Sequence, residues 1–103
     1  MKNIGDFMKQ AQQMKAELER IQEAAAEQRV EGSAGGGMVT VTADGRGEIV
    51  AVRIDPEVAQ SGDLEMLQDL ILAAANEALR RSRELLTAEM GRLTGGLNLP
   101  GLI

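Results

Sequence analysis

An α+β fold is what the sequence predicts: a long N-terminal helix, a small antiparallel β-sheet of two or three strands, and a long C-terminal helix packed antiparallel on the first. Three observations predict it. Ile4, Phe7, Ala11, Met14, Leu18, Ile21 and Ala25 fall alternately three and four residues apart, the spacing of a narrow heptad seam rather than of a broad globular face. Val39 and Val41, then Val50, Val52 and Ile54, alternate with other residues on either side of an Asp44–Gly45 pair, which is a strong hairpin signal. Residues 67–79, LQDLILAAANEAL, are apolar over more than one helical face and call for burial on two sides.

Taken in order, the first helix spans residues 4–28, with Asn3 placed to cap it and Asp6 three residues later in the manner of a capping box. Such a helix is roughly 35–40 Å long, more than a small domain covers, so it needs a partner helix. Gly32, Gly35, Gly36 and Gly37 follow. A phosphate-cradling loop needs a strand before its glycines and a helix start after them; here a helical pattern precedes and MVTVTAD follows. The cluster is therefore read as a helix stop at Gly32 and a closely packed strand-and-turn segment, with residues 30–36 adding a short first strand. ADGRGE turns the chain, and Asp55–Pro56 ends the sheet, because proline cannot donate to a ladder.

The second long helix runs from residue 64 to about 93, with Asp63 as its N-cap and Glu65 at the positive end of its dipole. Leu67, Ile71, Ala74, Ala78 and Leu85 form one stripe, and Leu70, Leu72, Leu79 and Leu86 widen it. Asn76 is expected at the edge of the packed face. Residues 1–93 thus form a single domain. Residues 94–103 form a flexible, apolar tail interrupted by Gly95, Gly96, Pro100 and Gly101, with Leu97, Leu99 and Leu102 docking on a neighbouring helix.

Composition narrows the chemistry. Among 103 residues there is no cysteine and no histidine, which removes disulfides, thiol nucleophiles, His-based triads and the usual zinc and haem ligand sets. Glu19, Glu23 and Glu27 form a carboxylate row, but it lies off the apolar seam and has no histidine to complete a di-metal site. Ser33, Ser61 and Ser82 have no candidate base. The expectation is a protein that is not an enzyme, with no metal, no cofactor and no small-molecule substrate. No stretch reaches the roughly 18 apolar residues of a membrane span, so a cytoplasmic protein without a membrane partner is expected. Phe7 is the only aromatic residue, which excludes a base-stacking platform.

MKQAQQMK near the start, GGGMVTVTADGRGEI in the sheet, LQDLILAAANEALRRS in the second long helix and LTGGLNLPG at the end, in that order, resemble the YbaB/EbfC family of bacterial nucleoid-associated proteins over nearly the whole chain. The resemblance implies a tweezer-like homodimer whose shared body is made of the sheets and the start of the last helix, with helical arms projecting from it. It implies binding of double-stranded DNA with little sequence preference, a role in nucleoid organisation and gene regulation, and a nucleoid-associated location. It also suggests a recombination or repair protein as a partner. On this chain the implied dimer interface takes in Leu67, Leu70, Ile71 and Ala74 of the helix with Val50 and Val52 of the sheet.

The chain departs from a simple DNA binder in its net charge of −5. Distribution matters more than the sum. Lys2, Lys9 and Lys15 face only Asp6 in the first 15 residues, and Arg80, Arg81, Arg83 and Arg92 face Glu84 and Glu89 in residues 80–93. In an antiparallel helix pair both segments are expected at the arm's distal end, and these seven cations are the candidate DNA contacts. The alternative is a dimeric protein-interaction module, docking on a recombination, repair or replication protein, whose DNA binding is incidental.

Overall fold

A computed structural model describes residues 3–97, with side-chain surroundings given as far as Arg92. The elements run α1 (Ile4–Glu27), β1 (Arg29–Ala34), β2 (Val39–Asp44), β3 (Ile49–Ile54), α2 (Pro56–Gln60) and α3 (Leu64–Leu97). The expected helix–sheet–helix order holds. Its caps are those the sequence supplies: Asn3 Oδ1 accepts the Asp6 N–H at 2.8 Å, and Asp63 Oδ1 accepts the Met66 N–H at 3.0 Å.

The sheet is antiparallel in the order β1–β2–β3. Val39, Val41 and Ala43 are fully buried on β2 and meet Ala74 and Ala78 of α3. Helix α3 lies across β1 and β2 and barely meets β3. Val41 pairs with Val52 and Val39 with Ile54, so β3 points apolar side chains to the same face as the β2 core. There α3 does not cover them, and Val52 stays 50% exposed.

Four points differ from expectation. The first helix ends at Glu27 and Gly32 lies inside β1. A Cβ at Gly32 would stand 2.3 Å from the Ala74 carbonyl oxygen and 2.4 Å from the Ala78 nitrogen, so this glycine allows strand and helix to touch, and it stops no helix. The helix is ended instead by Gln28, whose backbone is extended. Second, Asp55–Pro56 starts a short helix as well as ending the sheet: Asp55 Oδ1 accepts the Glu57 N–H at 2.9 Å and proline occupies the first turn, where its missing N–H costs nothing. Third, the ladder shifts between Thr42 and Ala43, which leaves Val50 as an extra residue on β3. Fourth, α3 continues to Leu97, because two glycines cost a helix only about 1 kcal/mol each relative to alanine. Of the apolar tail, Leu99 and Leu102 lie outside the described residues.

The molecule is elongated, 72 × 23 × 16 Å with a radius of gyration of 19.8 Å; a compact chain of this length would have about 13 Å. The excess is α1. Every residue from Asn3 to Gln13 is exposed, and Ile21 and Ala25 are its only buried positions among the described residues.

Candidate nucleic-acid interface

Where the end of α1 meets the body, the geometry is fixed by backbone contacts. The Ala25 carbonyl accepts the Gly45 N–H at 2.8 Å as well as the capping N–H of Gln28 at 3.1 Å. A Cβ at Gly45 would stand 2.6 Å from that same oxygen. The β2–β3 turn is held by Asp44, whose Oδ1 accepts the Arg46 N–H at 2.8 Å and the Glu48 N–H at 3.0 Å. The bond from Glu48 foremost, then that from Arg46 and the charges of Arg29 and Arg46, hold its carboxyl below the usual carboxylate range against the opposing effect of burial. Ser82 of α3 is buried beside this turn.

That junction places the basic residues. Arg81 donates to the Glu31 carbonyl of β1 at 2.9 Å and pairs with Glu77 at 3.2 Å. Arg80 and Arg83 flank buried Ser82 and are exposed. These three arginines therefore sit at the body end of the arm. The expectation of a distal position is corrected, because α3 lies on the sheet as far as Ser82 before it leaves it. Arg92 is roughly 15 Å further along the helix and is paired with Glu89 at 2.9 Å. Lys9 and Lys15 are exposed on α1; Lys2 lies outside the described residues.

Lys9, Lys15, Arg80 and Arg83 thus have no side-chain partner among the described residues, whereas Arg81 and Arg92 are engaged. The structure adds Arg29 and Arg46, which share the field of Asp44 at the junction. Their sequence signal was only an arginine at the start of the first strand and another in the hairpin turn. Arg20 is committed elsewhere. Its hydrogen bond to Glu17, then the charge of Glu17 and that of Glu89, raise its pKa; α1 and α3 touch over only a short stretch.

The apolar residues form a second feature. Val50 is 44% exposed and Val52 50% on β3, while Leu72 of α3 is 61% exposed. Leu67, Leu70 and Ile71 are half-buried against the protomer's own core. Ala74 is fully buried beneath Gly32 and has no surface left for a partner, which corrects its place in the expected interface. Leu72 was missing from that expectation although its helical spacing to Ala75 and Leu79 was visible. Among the described residues no group of acidic side chains is arranged to hold a metal ion, and no helix is long and apolar enough to cross a membrane.

Comparison with known proteins gives one answer at two levels. The sequence profile of the YbaB/EbfC DNA-binding family matches residues 1–97. Nucleoid-associated proteins of Acetivibrio thermocellus and Moorella thermoacetica are 56% and 54% identical over 101 residues, covering 97% and 98% of this chain and 89% and 97% of theirs. One from Caldanaerobacter subterraneus is 50% identical over 100 residues, 97% of this chain and 90% of its own. Among solved structures, an uncharacterized Helicobacter pylori protein superposes with a TM-score of 0.81 over 90% of this chain and 98% of its own. At 24% identity that likeness concerns the fold.

Proposed function

Because the chain belongs to the YbaB/EbfC DNA-binding family, we propose that it binds double-stranded DNA as a homodimer, with little sequence preference, and so contributes to nucleoid organisation and gene regulation in the cytoplasm. The observation that carries this reading is the family match over residues 1–97. The candidate contacts are Lys9 and Lys15 on the first arm helix, Lys2 ahead of it in the sequence, and Arg80, Arg83 and Arg92 on the second, with Arg81 contributing less because it is tied to β1. Phosphate contacts of this kind position a protein without reading bases. No catalytic step is assigned to the chain.

The dimer rests on the uncovered apolar cleft between β3 and α3. Val50 and Val52 form one wall, and Leu72, Ala75 and Leu79 the flank of the helix. A second copy laid in the cleft would bury both, which suits a two-fold interface. It would also supply the second side of burial that residues 67–79 call for.

A gel-shift titration with two unrelated duplexes at two salt concentrations tests the reading. Comparable affinity for both duplexes, falling steeply with salt, supports it. No binding at low salt would leave the protein-interaction module, docking on a recombination or repair protein. That second reading is favoured by the net charge of −5.

A further inference from the structure

Two unpartnered surfaces lie at opposite ends of the molecule and match each other in chemistry. One is the start of α1, where Ile4 is 76% exposed, Phe7 69% and Met8 54%, with Ala11 exposed beside them. They stand at i, i+3, i+4 and i+7, the anchor spacing of a helix that lies in a groove. Exposed Lys15, one helical turn beyond Ala11, ends the row with a positive charge. The other surface is where α2 and the start of α3 meet the β1–β2 turn. Two hollows adjoin there and share Met66, with Met38, Val58 and Leu70 completing an apolar floor. Asp55 and Glu57 rim one hollow, and Asp63, Glu65 and Asp69 the other. No lysine or arginine occurs between Arg53 and Arg80. Asp55 and Asp63 cap α2 and α3, and Glu57 and Glu65 stand in their first turns, where the helix dipole favours them. Asp69 lies beyond that reach and adds negative charge that no helix end accounts for.

We propose that the first turns of α1 from a second copy lie in this groove, with Ile4, Phe7 and Met8 on its floor and Lys15 against Asp69. A chain's own α1 cannot fill it. Helix α1 joins the body at Gly45, just past the end of β2, whereas the groove opens at Met38, just before β2 begins. The six residues of β2 hold the two places about 20 Å apart. Every residue from Asn3 to Gln13 is exposed, so α1 does not lie back along the sheet. An apolar floor with an acidic rim selects a helix that is apolar on one face and basic beside it, and it repels DNA. The described part of α1 ahead of Glu17 carries Lys9 and Lys15 against Asp6 alone, which supplies that complement. Tip on groove is a heterologous contact, so it propagates from copy to copy. It forms without DNA and stands whether or not the arms bind DNA.

Light scattering of the full chain at low salt, without DNA, tests it. The mean mass should pass that of two chains and grow at least about twofold from about 1 to about 100 μM protein, as an open-ended contact requires. Asp69→Lys and Lys15→Glu should each hold the mass at its dilute value, with helical circular dichroism retained. Mixed in equal amounts they should recover the growth, because the altered site of each meets a countercharge on the other; a merely structural effect of either substitution would not be recovered this way. The chain lacks cysteine, so Met8→Cys and Met38→Cys proteins mixed under mild oxidant identify the two surfaces. Unlike chains should be joined at least about tenfold over like ones, since a disulfide needs Cα atoms within about 7 Å. A mass that never passes two chains would overturn the proposal. So would a mixture that fails to recover the growth, or a Met8→Cys protein that joins mainly to itself, which would set tip against tip.

Discussion

At the scale of single residues, two positions carry effects beyond their size. Gly32 lets the backbone of β1 lie against α3, with no room for a Cβ beside Ala74 and Ala78. Both neighbouring atoms are backbone and cannot swing aside, so Gly32→Ala should destabilise the fold by about 3 kcal/mol, at the upper end of overpacking costs. Urea unfolding monitored by circular dichroism measures this. Asp44 holds the hairpin turn through two N–H bonds, and its folded pKa is lowered by them. A group of this kind stabilises the fold above the unfolded carboxylate pKa of about 4, and that contribution disappears as pH falls through the lowered folded value. Asp44→Asn keeps an acceptor oxygen but cannot titrate. Its stability should therefore fall less steeply than that of the unaltered protein as pH drops below about 4, in thermal melts taken down from that point.

At the scale of elements, the interesting surface is the one α3 leaves open. Val52 and Leu72 are largely exposed in the protomer but face the proposed partner, so Val52→Glu and Leu72→Glu should each shift the protein to a folded 11.0 kDa species with its helical circular dichroism retained. Light scattering at micromolar concentration checks the mass. Ile71→Glu differs, because Ile71 also packs on the protomer's own core and a buried charge there should cost fold and dimer together. Much of this architecture was legible beforehand. The heptad row set α1, the Asp44–Gly45 pair set the hairpin, and Asp63 set the start of α3, each through local chemistry that acts within a few residues. What was not legible depends on which elements touch. The bulge at Val50 is a single-residue register shift, which alternation alone does not reveal. The station of Arg80, Arg81 and Arg83 depends on where α3 leaves the sheet, and helical periodicity says nothing about that. Helix α2 has its own local signal in Asp55–Pro56–Glu57, an N-cap followed by an N-terminal proline, which marks a helix start as well as the end of a strand.

At the scale of the whole molecule, the chain is acidic overall and exposes its unpaired cations on the two arm helices and at the junction. If a dimer neutralises about four to six phosphates, log affinity should fall with log salt at a slope of roughly −4 to −5. Arg80→Glu/Arg83→Glu should lower affinity for unrelated duplexes by a similar factor and flatten that slope. Unchanged affinity would move the contact away from the junction. The attachment of α1 has a mechanical side as well. A single carbonyl, that of Ala25, receives the helix's own cap and the hairpin's Gly45 N–H, so the helix is hinged near one end and unsupported over its first half. The distance from Ala25 to Ile4 is about 31 Å. A tilt of about 10° at that joint therefore sweeps the tip through roughly 5 Å. Two such levers in one dimer would form a caliper whose gape is set by small adjustments at the turn, and objects of somewhat different girth would fit between its jaws without any repacking of the core.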